Sequence, residues 1–261
     1  MNDNNVRKNE RKDGQIMKKK AKSGNLDESS ALYQQFLRYQ HELDTRNDKR
    51  ERLVKLSRDV TIQSKRTIFT LLRKEFNQEK ILLEGKSKIA EIKKLLDSIN
   101  SELVNEDINR FQRAFSPGIQ EYIEAVSLFH YIETGNVISF EETQQKFFDV
   151  ENFSYFLTQM DYMLGIADLT GEMMRMSINA IGSGNFEIVE STCSTLQEIY
   201  SNFSVFSNSN RDLSRKLSVM KNSLQKVEKA RCNLKVRGSE IPKHLLLTLL
   251  DETDEKIPTE E

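Results

Sequence analysis

Four acidic side chains have the spacing from which a cation site could be built. Glu121 and Glu124 are three residues apart, and Asp168 and Glu172 are four residues apart. On a helix, each pair therefore shares one face. Asp168 follows the uncharged run 162–167, which indicates a position in the interior. Buried carboxylates are costly unless they are paired or bind a cation, and their oxygens suit Mg²⁺. The alternative is that the acids are solvated, as most are in a chain with 40 of them.

Nucleophilic and zinc chemistry find little support in the sequence. Cys193 and Cys232 lie in no nucleophile or metal motif, and the three histidines are scattered along the chain. The Gly-Ser-Gly turn at 182–184 lacks the lysine of a phosphate-binding loop. Two cysteines fit a reduced intracellular protein better than a disulfide framework. Carboxylate chemistry is therefore what the sequence leaves for catalysis.

Basic residues form two sets that could contact nucleic acid. Lys65-Arg66 and Arg73-Lys74 are about two turns apart along a helix, and such a row contacts phosphates without reading sequence. A solvated face flanked by acids is the alternative. The first 24 residues hold eight basic and three acidic residues, which is typical of a nuclear-import signal, a nucleic-acid arm or a merely solvated tail. The basic residues of the import-signal interpretation are Arg7, Lys8, Arg11, Lys12, Lys18, Lys19 and Lys20.

The composition predicts an all-α protein, a single elongated helical domain of six or seven helices. The 261 residues include only 10 glycines and 3 prolines, which excludes turn-rich β folds and glycine-punctuated α/β folds. Apolar residues with a 3.6-residue period predict helices, and Gly135 is expected to end the third of them. Pro117-Gly118 interrupts that third segment, as a kink or as a new start capped by Ser116. The segments are 30–74, 89–99, 106–133, 153–181, 186–203 and 212–236, with a short helix after Pro242.

Three regions are predicted along the chain. Residues 1–28 form a disordered basic tail, 29–250 the helical domain and 251–261 an acidic tail. The longest apolar runs are far shorter than the roughly 20 residues that span a bilayer, so no membrane contact is expected. The net charge of −1 means that any nucleic-acid contact must use local patches. The wide apolar stripes predict oligomerisation.

Several segments resemble the translin family, in its translin-associated factor X (Trax) branch. The similarity extends over roughly residues 30 to 245. It rests on the segments Ser64-Lys-Arg-Thr-Ile-Phe69, Gln120-Glu-Tyr-Ile-Glu-Ala-Val126, Asp168-Leu-Thr-Gly-Glu-Met-Met-Arg-Met-Ser-Ile-Asn179 and Leu234-Lys-Val-Arg-Gly-Ser-Glu-Ile-Pro-Lys-His244. Pro117-Gly118 departs from the family pattern. The resemblance implies a translin-like all-helical fold and a hollow hetero-octamer with translin as partner.

The resemblance also implies an activity. It is that of an endoribonuclease that requires Mg²⁺, for which Mn²⁺ can substitute. The enzyme degrades the passenger strand of small interfering RNA, activates the RNA-induced silencing complex and trims tRNA precursor fragments, in cytoplasm and nucleus. Its catalytic acids fall on Glu121, Glu124 and Asp168, with Glu172 as a further metal ligand. The alternative function is a non-catalytic scaffold that binds RNA or single-stranded DNA and stabilises translin.

Two expectations follow if the three acids converge without a cation. Their charges repel, so at least one should have a raised pKa. Neutralising Asp168 to Asn should then stabilise the metal-free protein, because active sites hold strain that function requires. An acid that is paired with a lysine predicts the opposite sign.

Overall fold

The computed structural model describes residues 29–73, 77–148, 157–183 and 185–237. Within these ranges the chain forms seven helices and no strand, which confirms the predicted all-α class. The helices are α1 (Ala31–Leu71), α2 (Gln78–Leu103), α3 (Ile108–Thr134), α4 (Phe140–Phe147), α5 (Gln159–Ser183), α6 (Phe186–Ser204) and α7 (Arg211–Arg237). The two predicted tails and the helix after Pro242 lie outside the described residues. None of the described helices is long and apolar enough to cross a membrane.

The chain divides into two compact units, residues 1–46 and 47–261. In the described part of the first unit, the beginning of α1 carries an apolar stripe at helical spacing. Its members, Leu32, Phe36, Tyr39 and Leu43, are all exposed. The rings of Phe36 and Tyr39 meet edge to face, with centroids 6.2 Å apart. An apolar stripe is therefore exposed on the surface of this unit.

Helix α3 lies at the centre of the second unit. From Tyr122 to Tyr131 every side chain is buried, polar residues included. The helix packs against α2, α4 and α5, and α5 in turn packs against α6 and α7. Gly135 ends α3 in the left-handed conformation with φ of 77°, and its N–H bonds the carbonyl of Tyr131. This glycine cap was predicted, and the structure confirms it.

Pro117 lies inside α3, which continues through it without a new start. The hydroxyl of Ser57 on α1 accepts the N–H of Gly118 at 3.1 Å and donates to the carbonyl of Phe115 at 3.2 Å. A Cβ on Gly118 would lie 2.7 Å from the Ser57 carbonyl oxygen, so only glycine allows this approach. Ser57 of α1 thus bonds the backbone on both sides of Pro117, and α3 is not interrupted there. The alternative in which Ser116 caps a new helix is wrong.

Helices α3 and α5 are joined by a buried acid, Asp161, which is 2% exposed. Its carboxylate accepts hydrogen bonds from the side chains of Ser116, Gln120 and Thr158. Thr158 also accepts the Asp161 N–H at 3.0 Å, which caps the first turn of α5. Neutral donors therefore satisfy this carboxylate, and the hydrogen bonds from Ser116 and Gln120 hold α3 against α5. These contacts come before Glu121 on α3 and before Asp168 on α5 in the sequence.

Helix α2 extends beyond the predicted segment 89–99 at both ends, the start of α5 differs from the prediction, and α4 was not predicted. Leu157 and Thr158 precede α5, which begins at Gln159 and not near Phe153, because Thr158 forms its cap. Helix α4 was not predicted, because eight residues are too few for a clear apolar period. Its sequence signal is the capping box of Ser139 and Glu142, whose side chains bond each other's backbone N–H.

Candidate functional site

A cavity of about 570 Å³ in the second unit is lined by residues of α1, α3, α5 and α7. All four acids predicted from their spacing line it: Glu121 and Glu124 from α3, Asp168 and Glu172 from α5. The other lining residues include Lys65, Phe69, Gly171, Arg175, Lys216 and Val219. The structure therefore brings together two acidic pairs that are more than 40 residues apart in sequence.

A glycine allows the two acidic helices to approach. A Cβ on Gly165 would lie 2.6 Å from Cγ2 of Ile123 and 3.0 Å from the carbonyl oxygen of Gln120. Gln120 and Ile123 are neighbours in sequence of the two α3 acids, and Gly165 precedes Asp168 by one turn. The close contact of α3 with α5 at Gly165 thus places the acids of both helices at one cavity.

Glu124 is the most buried of the four acids, with 8% of its surface exposed. The pKa of Glu124 is raised to about 8, first by burial and then by the charges of Asp168, Glu121 and Glu172, in that order. Lys216 acts in the opposite direction. Glu124 makes no ion pair with any described residue, and at pH 7 it holds its proton. The expectation that one acid has a raised pKa is confirmed, with burial rather than repulsion as the larger cause.

Each of the other three acids has a basic partner. Nζ of Lys65 lies 3.1 Å from Oε1 of Glu121, and Nη1 of Arg175 lies 3.2 Å from Oε2 of Glu172. Nζ of Lys216 bonds Oδ1 of Asp168 directly. With Glu124 protonated, three carboxylates thus face three cations, so the charges of the cavity nearly balance.

Two carboxylate oxygens in the cavity are buried and lack a hydrogen-bond partner among the described residues. They are Oε2 of Glu121 and Oε2 of Glu172. Arg175 is within ion-pair distance of the second, but not in the geometry of a hydrogen bond. Burial raises the pKa of Glu172, and Arg175 lowers it by less. Buried oxygens without a hydrogen bond are costly, so these atoms are suited to a cation.

The donor set fits a hard divalent cation, although it is not assembled around one point. All four donors are carboxylates, which Mg²⁺ and Mn²⁺ prefer, and Mg²⁺ needs only a few of them because it keeps several waters. Within the described ranges, no three acidic, histidine or cysteine side chains are already arranged to hold a metal ion. Binding at one point would therefore require these side chains to move closer together.

The predicted RNA-binding residues do not form one row at the cavity. Lys65 lines it, whereas Arg66 is exposed on α1 and is not among the lining residues. Arg73 follows the end of α1 and forms an ion pair with Glu84 of α2 at 3.8 Å. Lys74 lies outside the described residues, as does the predicted import signal in the first 28 residues.

Three of the lining residues that the sequence analysis missed bear on the charge and shape of the cavity. Arg175 follows Glu172 by three residues, which is a local signal for an ion pair. Phe69 lies one turn after the basic pair at 65–66 and is 69% exposed. The periodicity of α1 alone does not distinguish it from a core residue. Lys216 is 48 residues from Asp168 and has no signal in the sequence.

The chain is similar in sequence to proteins named translin-associated protein X and, more distantly, to translin. The chain is 42% identical over 256 residues to translin-associated protein X of Rattus norvegicus, which covers 89% of this chain and 88% of that protein. It is 32% identical over 211 residues to the translin-associated protein X homolog of Schizosaccharomyces pombe, covering 76% and 85%. Translin of Mus musculus is more distant, at 23% identity over 212 residues, covering 78% and 92%.

Solved structures share the fold. The structure of the AfC3PO–duplex RNA complex matches with a TM-score of 0.63 at 19% identity, over 79% of this chain and 100% of that chain. The crystal structure of apo-NeC3PO matches with a TM-score of 0.60 at 24% identity, over 74% and 94%. The sequence pattern of the translin family matches residues 48–238, which include the whole cavity. The chain belongs to the translin family.

Proposed function

We propose that this chain is the metal-dependent endoribonuclease subunit of an assembly with translin. The observation that carries the proposal is the convergence of Glu121, Glu124, Asp168 and Glu172 on one cavity, where two carboxylate oxygens are buried without hydrogen bonds. Support for RNA as substrate comes from the resemblance of the segments that hold these acids, and from the AfC3PO relative of the same fold in complex with duplex RNA. The proposed substrates are the passenger strand of small interfering RNA and tRNA precursor fragments.

Mg²⁺, or Mn²⁺ in its place, would be held by Glu121, Glu124 and Asp168, with Glu172 as a further ligand. When bound, such an ion lowers the pKa of a water and stabilises negative charge on a phosphoryl group. In the free chain, Glu124 stores a proton at neutral pH, and it must release that proton before its oxygens can act as ligands.

The rim of the cavity fits an RNA backbone. Lys65 and Arg175 are well exposed at their positions, with 64% and 59% of their side chains accessible. Both can reach a phosphate while their partners bind a cation, because lysine and arginine side chains are long and flexible. Such contacts hold the strand without reading its sequence. This arrangement favours an enzyme that selects RNA by structure.

The proposed partner is translin. Mammalian and yeast relatives carry the name translin-associated protein X, and the solved relatives bear the name C3PO. The exposed stripe of Leu32, Phe36, Tyr39 and Leu43 in the first unit leaves apolar surface that a monomer rarely exposes. The full chain should therefore be poorly soluble when expressed alone and soluble when co-expressed with translin. A stable monodisperse monomer in light scattering would contradict this partnership.

Single-turnover cleavage of RNA by the reconstituted assembly tests the enzyme. Cleavage should stop in EDTA, and Glu124→Gln should abolish cleavage while RNA binding is retained. The matched control is Glu133→Gln, which changes an exposed glutamate on the same helix and should leave cleavage unchanged. Cleavage that persists in both EDTA and Glu124→Gln would overturn the proposed activity.

A non-catalytic scaffold is the second candidate. It is favoured by the ion pairs of Glu121, Asp168 and Glu172, since acids with such partners can serve structure alone. The scaffold binds RNA or single-stranded DNA and stabilises translin. It predicts that the assembly binds RNA equally well with EDTA and cleaves nothing. Residence in both cytoplasm and nucleus stays a prediction from the basic residues before position 23.

A further inference from the structure

Lys216 is the cation most closely engaged with the acidic cavity. It reaches from α7 to Asp168 on α5, and its ammonium bonds Oδ1 of that carboxylate. Both side chains are about one-third exposed, so the pair stands at the border between the cavity and solvent. Lys65 and Arg175, in contrast, have well-exposed side chains. Lys216 thus supplies the positive charge that compensates the carboxylate of Asp168.

We infer that Lys216 is a displaceable counter-ion: it holds Asp168 in the metal-free protein, is released when a divalent cation takes that carboxylate, and then contacts a phosphate of the bound RNA. This inference rests on the proposed function. It adds a role for a residue outside the acidic set, and it makes tight RNA binding dependent on the metal.

Competition between the lysine and a metal follows from charge and geometry. A carboxylate oxygen that accepts a bond from an ammonium offers that lone pair to a metal only after the bond is broken. The four acids do not converge on one point within the described residues, which fits a cavity whose carboxylates are still held by their partners. Lys216 therefore opposes a metal at Oδ1 of Asp168 by occupying that oxygen and by charge repulsion, at a cost of up to the free energy of its ion pair.

The released ammonium has a defined place to go. Lys216 lines the same cavity as the acids, and its long stem lets the charged end turn toward the opening without movement of α7. RNA that enters brings phosphates, and a free ammonium beside the metal is the natural partner for one of them. In the metal-free protein the ammonium is occupied, so RNA should gain little from it.

The test compares Lys216→Met with the wild type as full chains in the assembly with translin. Met keeps much of the length of the side chain and removes the charge. Lys216→Arg keeps the charge, and Lys216→Gln replaces Met if that variant does not fold. The matched control is Lys235→Met, on the same helix, because Lys235 pairs with Glu190 at 3.0 Å and does not line the cavity.

The first measurement is Mn²⁺ affinity by calorimetry, without RNA. Lys216→Met should bind Mn²⁺ roughly 1.5- to fivefold more tightly than the wild type, the range expected when a partly exposed ion pair no longer competes. Lys216→Arg and Lys235→Met should bind as the wild type does. Unchanged or weaker Mn²⁺ binding by Lys216→Met overturns the inference, because a merely structural lysine would give that result.

The second measurement is the affinity for a 2′-O-methyl RNA strand that stays intact during the assay. In Mn²⁺, Lys216→Met should weaken binding roughly three- to tenfold and reduce the salt slope by about 0.7, the change expected when one phosphate is no longer neutralised by the protein. In EDTA the same variant should change the affinity by less than about twofold. An equal loss of affinity with and without Mn²⁺ overturns the inference.

Failure of this inference differs from failure of the proposed function. If the wild type binds Mn²⁺ and cleaves RNA but Lys216→Met binds Mn²⁺ no more tightly, only the role of Lys216 is overturned. If the wild type binds no Mn²⁺ and cleaves no RNA, the proposed function is overturned together with this inference.

Discussion

Glu124 and Asp168 line one cavity from two packed helices, and after burial the charge of Asp168 is the largest cause of the raised pKa of Glu124. Asp168 itself is compensated by Lys216, whereas Glu124 is compensated by its own proton. The two acids therefore contribute to stability in opposite ways. Removing the carboxylate should lower the free energy of unfolding at Asp168 and raise it at Glu124.

Glu124→Gln should change the pH dependence of stability. Burial raises the pKa of Glu124 from 4.5 to about 8, so the unfolded chain loses this proton at lower pH than the folded chain. Stability from this group is present below pH 4.5, falls as the pH rises and is lost above about pH 8. Between these two pH values the free energy of unfolding should fall by on the order of a few kcal/mol.

Chemical unfolding in EDTA at pH 5 and pH 8.5 checks this sign. Glu124→Gln should match the wild type at the lower pH and be more stable at the higher one. Glu133→Gln, an exposed change on the same helix, should follow the wild type at both. If Glu124→Gln were the less stable protein at pH 8.5, the carboxylate would be a favourable buried ion.

Asp168→Asn should destabilise the metal-free protein. The sequence alone predicted the opposite, on the assumption that the acids repel one another without compensation. The ion pair with Lys216 changes this sign, because the amide cannot hold the ammonium as strongly. Since both side chains are about one-third exposed, we expect a loss of only up to about 1 kcal/mol.

Urea unfolding of Asp168→Asn, Lys216→Met and the double variant at pH 7 in EDTA measures this coupling. The double variant should lose less than the sum of the two single variants, because both remove the same pair. A stabilised Asp168→Asn would restore the expectation drawn from the sequence.

The acids could be predicted from the sequence, but their partners could not. The spacing of Glu121 with Glu124 and of Asp168 with Glu172 is local, so it gives a shared helix face before any fold is known. Lys216 meets Asp168 only through the packing of α7 on α5, and no local pattern predicts that ion pair. The acidic side chains of the cavity could therefore be identified from the sequence, but the lysine that neutralises Asp168 could not.

Most of the helices could likewise be predicted from the sequence, whereas the contacts between them could not. Apolar periods predicted six of the seven described helices, and α4 was too short to show one. The effect of Pro117 could not be predicted, because the hydroxyl that accepts the N–H of Gly118 belongs to Ser57, 61 residues away. Helix propensity is local, whereas the repair of a helix defect is tertiary.

Gly165→Ala should separate α3 from α5. The new methyl would lie 2.6 Å from Cγ2 of Ile123, and overpacking of this kind costs about 1–3 kcal/mol. Gly171→Ala is the matched control on the same helix, because nothing lies within 4 Å of its Cβ position. That change should stabilise by about 0.5–1 kcal/mol through helix propensity alone. Thermal or urea unfolding of the two variants measures the difference, and equal effects would show that Gly165 is not required for the helix contact.

Mg²⁺ or Mn²⁺ should raise the melting temperature of the assembly with translin, and more so at high pH. A ligand at 100 times its Kd stabilises the folded state by about 2.7 kcal/mol. Because burial holds the proton of Glu124 up to about pH 8, metal binding at pH 6 must displace it, whereas at pH 8.5 the carboxylate is already ionised. The increment in melting temperature should therefore be larger at pH 8.5 than at pH 6, and EDTA should reverse it. Glu124→Gln should remove most of the increment at both pH values, and Glu133→Gln should keep it. An increment that is independent of pH and survives in Glu124→Gln would place the cation elsewhere on the assembly, and the carboxylates of this cavity would then be structural.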